Sequence, residues 1–128
     1  ELAERALQLP LARNPLQWAY HVSIRFMSGD YAGAVQAATT AGSFSYVQAY
    51  KAAALYHLGE HAAGAEELAG FISHTRSRWV GVREPSDENI LRWLLSMIPI
   101  KHAGDWERVR GGLAGLGAPV GLLAHDVW

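Results

Sequence analysis

The sequence predicts an all-α protein built from antiparallel helix pairs. Three observations carry that expectation. Apolar residues recur at helical spacing, as in Trp18-Val22-Phe26 and Ala52-Leu55-Leu58, which is the period of one buried helix face. A Gly–acid dipeptide closes both segments, at Gly29-Asp30 and again thirty positions later at Gly59-Glu60, and recurs at Gly104-Asp105. No alternating apolar–polar run bounded by hairpin residues marks a strand.

Helices are expected near 2–9, 15–28, 30–41, 45–58, 60–75, 87–98 and 103–116. A helix ending in a tight turn favours a residue that tolerates positive φ, and glycine does so without a Cβ penalty. The acid after it stands at the next helix's N-terminus, where it can cap and meet the positive end of the dipole. Each Gly–acid pair is therefore expected to be a helix-to-helix turn, three in all. Ala34 and Gly64 occupy matching places in the helices that follow and would let neighbouring helices approach closely. Pro85-Ser86-Asp87-Glu88 is a start signal with a cap residue and acids in the first turn. Pro99 should end or kink the helix before it. The last helix holds Gly111, Gly112 and Gly115, each costing up to about 1 kcal/mol against alanine, so its helicity must rest on packing.

Composition narrows the function. The chain has 128 residues, half of them apolar, and a net charge of −1. That length suits one domain with a real core, and that charge gives no overall positive field for nucleic acid. There is no cysteine, which removes disulfides, thiolate ligands and cysteine nucleophiles together. No apolar run approaches the roughly 20 residues of a membrane span. The opening ELAERALQLP has neither Met nor a signal-peptide apolar region. It reads as a segment starting inside a helix of a longer protein, with a cytoplasmic location expected.

His57-Leu58-Gly59-Glu60-His61 matches H-x-x-E-H, an inverted zinc-peptidase signature. A zinc site of that kind needs both imidazoles on one face of an unbroken helix. Gly59 falls where the repeat turns the chain, so His57 and His61 are expected on different helices, and the stretch reads as a turn. No Gly-rich phosphate loop and no G-x-S-x-G nucleophile elbow is present. No metal, cofactor or catalytic set is expected.

The pattern resembles the tetratricopeptide repeat, a helix pair of about 34 residues with glycine at its turn. Asn14-Pro15, Trp18, Gly29, Tyr31 and Ala34 match it well. Gln48, Gly59, His61 and Gly64 follow it more loosely, as do Trp93, Gly104, Trp106 and Val109. The stretch Ala3, Ala6, Leu7, Leu9 and Pro10 resembles the end of a preceding repeat. The resemblance implies a right-handed α-α superhelix over residues 1–117, about three helix pairs with the first partial, followed by an apolar tail at 118–128. Residues 85–119 also resemble the ends of helical-repeat regions that follow class III nucleotidyl cyclase or DNA-binding domains in bacterial regulators.

The same resemblance places the first helices of successive pairs along a concave groove. Carried over by position, the groove residues are Ala19, Tyr20, Ser23 and Phe26, then Tyr46, Ala49, Tyr50, Ala53, Tyr56 and His57, then Leu94 and Ile98. Phe26, Leu94 and Ile98 read as core. The binding groove is expected at Tyr20, Ser23, Tyr46, Tyr50, Ala53, Tyr56 and His57, because tyrosine is large, amphipathic and loses little entropy when fixed. Ala19, Ser23, Tyr50, Leu94 and Ile98 stand where one subset of the family carries a charged carboxylate clamp, so a chaperone-tail ligand is not expected. Arg76, Arg78 and Arg83 around Trp79 form a candidate anion patch, although the preferred reading of the stretch is a solvated helix end.

The expected function is a non-enzymatic protein-interaction module, a regulatory part of a larger bacterial protein, with a mostly apolar or aromatic protein or peptide partner. A groove that senses a small molecule or lipid for an attached effector is the alternative, and a zinc hydrolase at HLGEH a second. Self-association through an exposed terminal helix, or through Leu122, Leu123, Val127 and Trp128 of the tail, is a further expectation.

Overall fold

The computed structural model describes residues 15–41, 45–79, 85–98, 100 and 102–120, with backbone alone for 15–18 and 45. Among the described residues six helices follow one another: α1 (Pro15–Met27), α2 (Tyr31–Ala41), α3 (Ser45–His57), α4 (His61–Ser77), α5 (Asp87–Met97) and α6 (Ala103–Gly115). Among the described residues there is no strand, and the fold is all-α. The expected helix over 2–9, the turn at 42–44, Arg83 and the tail from 121 onward lie outside the described residues.

The first two Gly–acid turns form as the backbone argument requires. Gly29 has φ +83° and Gly59 φ +84°. In the first, Gly29 N donates to Phe26 O at 3.1 Å and Asp30 N to Arg25 O at 2.9 Å. In the second, Gly59 N donates to Tyr56 O at 2.9 Å and Glu60 N to Leu55 O at 2.8 Å. This paired closure satisfies two carbonyls that a helix end otherwise leaves orphaned. The chain reverses at each, and α1 packs on α2 as α3 packs on α4. HLGEH is thus the end of α3, a turn and the start of α4.

Gly104 corrects the third expectation. It has no positive φ and lies inside the first turn of α6, which begins at Ala103 after His102. The glycine that ends a helix here is Gly117, with φ +95° and the same two bonds, to Ala114 O and Leu113 O, both 3.0 Å. Capping also divides the acids. Asp30 Oδ1 accepts from Gly33 N at 2.9 Å, whereas Glu60 makes no side-chain cap bond. Glutamate's extra methylene carries its carboxylate past the position a short cap residue reaches. Ser86 caps α5 by accepting from Asn89 N at 3.2 Å, as its sequence predicts.

Small residues set the helix spacing. Ala34, Ala37, Ala38 and Ala41 form the buried face of α2. A Cβ on Gly64 would stand 3.1 Å from Ala52 O and 2.9 Å from Leu116 Cδ2. The larger core residues, Phe26, Phe71, Ile90, Leu91, Leu94 and Leu113, are fully enclosed. Packing runs beyond the expected boundary at 117, since Val120 is also fully buried.

The arrangement of the last pair differs from expectation. α5 touches α4, but α6 packs chiefly on α3 and only lightly on α5. Its link to α5 is Trp106, whose Nε1 donates to Leu95 O at 3.0 Å inside the core. Four residues of α6, Trp106, Val109, Gly112 and Leu113, are buried. The helix therefore returns across the first-helix face of α3.

Candidate functional site

The α1 and α3 helices place most of the predicted groove residues. On α1, Tyr20, Ile24 and Met27 follow each other at intervals that share one face. Tyr20 is 59% exposed and Ile24 53%. On α3, Tyr46, Tyr50, Ala53 and His57 follow each other at the same kind of interval. Between the two helices lies a cleft of about 460 Å³, lined by Ser23, Ile24, Met27, Ser28 and Tyr50 and open to solvent on one side. Ser23 and Ser28 hydroxyls donate to Tyr20 O and Arg25 O of their own helix, each at 2.9 Å.

An aromatic chain supports the cleft from below. The Tyr46 ring meets Tyr50 edge-on at 6.2 Å. Tyr50 meets Phe26 at 5.4 Å, and Phe26 meets Tyr31 at 5.2 Å. Tyr31 stacks on His57 at 4.8 Å. Burial raises the Tyr50 hydroxyl well above the usual tyrosine range, with Tyr46 and Asp105 adding to the effect. Burial also raises Tyr46, and Tyr20 adds to it. Both hydroxyls stay neutral, able to donate as well as accept.

The predicted groove divides in two. Tyr20, Ser23 and Tyr46 stand at or beside the open cleft. Ala53 is buried and Tyr56 and His57 half-buried, because α6 lies over this half of the face, whereas Tyr50, on the cleft wall, is buried against Phe26 and Tyr46. A Cβ on Gly112 would sit 2.9 Å from Ala53 Cβ and 3.0 Å from Ala53 Cα. A Cβ on Gly115 would meet the Tyr56 ring at 2.2 Å. His57 Nε2 lies 2.7 Å from Arg108 O. A carbonyl only accepts, so this ring nitrogen carries the proton and donates. The Tyr56 ring stacks on His61 across the turn, at 4.8 Å.

Arg108 fastens α6 to the first helix pair. Its guanidinium donates to Met27 O at 2.7 Å, Phe26 O at 3.3 Å and Tyr31 Oη at 3.0 Å. It also pairs with Asp105 at 2.6 Å and lies 5.7 Å from the Phe26 ring centre. A cation on the last carbonyls of α1 gives Met27 O a donor, adds a second bond to Phe26 O, which already accepts from Gly29 N, and complements the dipole. The hydrogen bonds to Asp105 and Tyr31 raise its already high pKa further. Sequence reasoning missed Arg108, Ile24, Met27 and Ser28. The spacing of Asp105 and Arg108 signals an ion pair on one helix, but nothing local says which carbonyls the free side of the guanidinium meets.

The candidate anion patch is used structurally in part. Arg76 Nε donates to Pro85 O at 2.9 Å, and its guanidinium pairs with Asp87, joining the end of α4 to the start of α5. Arg78 is exposed beside it. Among the described residues no group of three or more His, Asp or Glu side chains is placed to hold a metal ion, and none of their helices is long and apolar enough to cross a membrane. Comparison with protein-family models, with curated proteins and with solved structures gave no match.

Proposed function

We propose that this chain is a non-enzymatic protein-interaction module of the helical-repeat type, which holds an apolar or aromatic segment of a partner in the tyrosine cleft between α1 and α3. The observation that carries it is the open cleft itself, walled by Ile24, Met27 and Tyr50, with Ile24 exposed and Tyr20, one turn before it on α1, exposed as well. Large exposed apolar side chains around a concave, largely uncharged surface suit burial of a partner's apolar groups. Two glycine-reversed helix pairs, stacked chiefly through α2 and α3 with α1 also reaching α3, support the tetratricopeptide-like reading. A regulatory role within a larger bacterial protein belongs to the same proposal and follows from the sequence resemblance of residues 85–119.

Peptides selected from a displayed random library against the chain test the reading. They are expected to be apolar or aromatic, and to shift the amide resonances of residues 20–28 and 46–50. Ile24→Asp should weaken them at least tenfold, since it sets a carboxylate at the cleft rim without disturbing the core. Undiminished binding to Ile24→Asp would sink the proposal. The cleft's volume also falls within the roughly 300–1,000 Å³ of small-molecule sites. A thermal-shift panel of metabolites examines that second reading, with a ligand at 100 times its Kd adding about 2.7 kcal/mol.

A further inference from the structure

Half of the predicted groove is filled by the chain's own last helix. Ala53 is fully enclosed. The seat has the features of a docking site rather than of a repeat continuing. The crossing is made at Gly112, where the two backbones touch. One side chain, Arg108, reaches out to the ends of the first helix pair. The neighbour that precedes α6 in sequence contributes little to holding it.

The helix itself is weakly made. Gly104, Gly111, Gly112 and Gly115 lie within its thirteen residues, and each lowers its intrinsic helicity. Its N-cap, His102, makes no side-chain cap bond, and its last turn has no basic residue to meet the dipole. A segment whose helix exists chiefly through docking is a candidate for opening before the rest of the fold.

We propose that α6 is a detachable strap, which leaves the α3 face by local unfolding and so decides whether a partner can reach Ala53, Tyr56 and His57. The proposal rests on the cleft being one end of a binding face. Its partner is a helix of the same chemistry as α6. That helix has glycine where it crosses Ala53, and an arginine one turn earlier for the Phe26 and Met27 carbonyls. In the docked state only the α1 end of the face is open; with α6 released, the footprint extends along α3. Partner binding and α6 docking are then mutually exclusive.

Native-state hydrogen exchange on the full chain tests this without a known partner. Amides of residues 107–115 are expected to exchange at least tenfold faster than those of 49–56, through an opening that leaves α3 protected. Gly111→Ala, whose new methyl meets nothing closer than 3.6 Å, should slow that opening about fivefold by favouring the helix. Arg108→Ala should speed it at least tenfold. A labelled peptide of residues 102–118 should bind Arg108→Ala at least tenfold more tightly than the unaltered chain. Exchange of α6 in step with α3, unchanged by Gly111→Ala, would overturn the proposal even if Arg108→Ala failed to fold. Equal peptide binding to the two proteins would overturn it as well. Ile24→Asp reads the open cleft and exchange reads the strap, so either idea can fail without the other.

Discussion

Gly111 and Gly112 are neighbours on α6, yet a methyl added to each meets opposite surroundings. At Gly111 the nearest atom is Glu107 Oε2 at 3.6 Å, an ordinary contact. Alanine there removes backbone freedom from the unfolded chain and should stabilise by up to about 1 kcal/mol. At Gly112 the methyl meets Ala53 Cβ, Cα and O at 2.9, 3.0 and 3.1 Å. Backbone atoms do not swing aside, so overpacking of about 1–3 kcal/mol outweighs the same propensity gain. Thermal unfolding of the two variants should therefore show Tm shifts of opposite sign, with Gly111→Ala raised by about 3–5 °C. Asp30 gives a second test. Its pKa is lowered by the Gly33 N–H first and by Arg25 next. A carboxylate depressed in the folded state contributes stability that is complete above its unfolded value near 3.8 and is lost as pH falls through the lower folded value. Asn caps a helix as well as Asp does. Asp30→Asn keeps the cap but loses the charge and its Arg25 pair. It should therefore cost at pH 7 the same amount by which it flattens the acid limb below pH 4. That is less than Asp30→Ala, which also loses the cap and should cost about 1 kcal/mol or more at pH 7. Urea midpoints at both pH values separate the two.

At the scale of the element, Gly59 and Gly104 look alike in sequence and differ in role. Gly59 sits at φ +84° in open space, so Gly59→Ala adds only backbone strain, about 1–2 kcal/mol of lost stability. Gly104 has ordinary φ and open space as well, so Gly104→Ala should be neutral or stabilising by up to about 1 kcal/mol. Chemical denaturation of the two variants measures the difference directly. The contrast shows what could be read in advance. A glycine after a helix-periodic segment marks a turn because the helix supplies the carbonyls its reversal satisfies; Trp18 to Phe26 and Ala52 to Leu58 provide those segments. Before Gly104 the helix has already ended at Met97, five residues upstream of His102, so no helix remains for that glycine to terminate. The element boundaries were legible because they follow from spacing along one chain segment, whereas the groove tyrosines came from the resemblance alone. The seat of α6 was not legible, since apolar periodicity says that Trp106, Val109 and Leu113 will be buried but not against which helix. Half the groove was therefore read as open when its occupant lay fifty residues further on.

For the whole molecule, α6 is the element that joins distant parts of the chain. Helices α1 to α4 touch mainly their sequence neighbours, α1 also reaching α3. Arg108, Gly112 and Leu116 instead meet residues between 26 and 64. Cooperativity should depend on that closure more than on any one turn. Ending the chain after residue 102 removes Trp106, Val109 and Leu113 from the core, each worth roughly 1.5–3 kcal/mol of burial, and uncovers Ala53. The four helices from α1 to α4 keep their own hairpins and a fully enclosed Phe71 and Val47, so the shortened chain should remain helical. Its urea m-value should fall with the smaller area exposed on unfolding, and circular dichroism and tryptophan fluorescence should no longer report one coincident transition. The uncovered apolar face should also make it associate at higher concentration. A chain ending at Val120, which retains α6 and the buried Val120, is the reference against which the shortened chain is compared. If the shortened chain instead unfolded completely, α6 would be inseparable from the core, and a strap that opens alone would be ruled out on the same measurement.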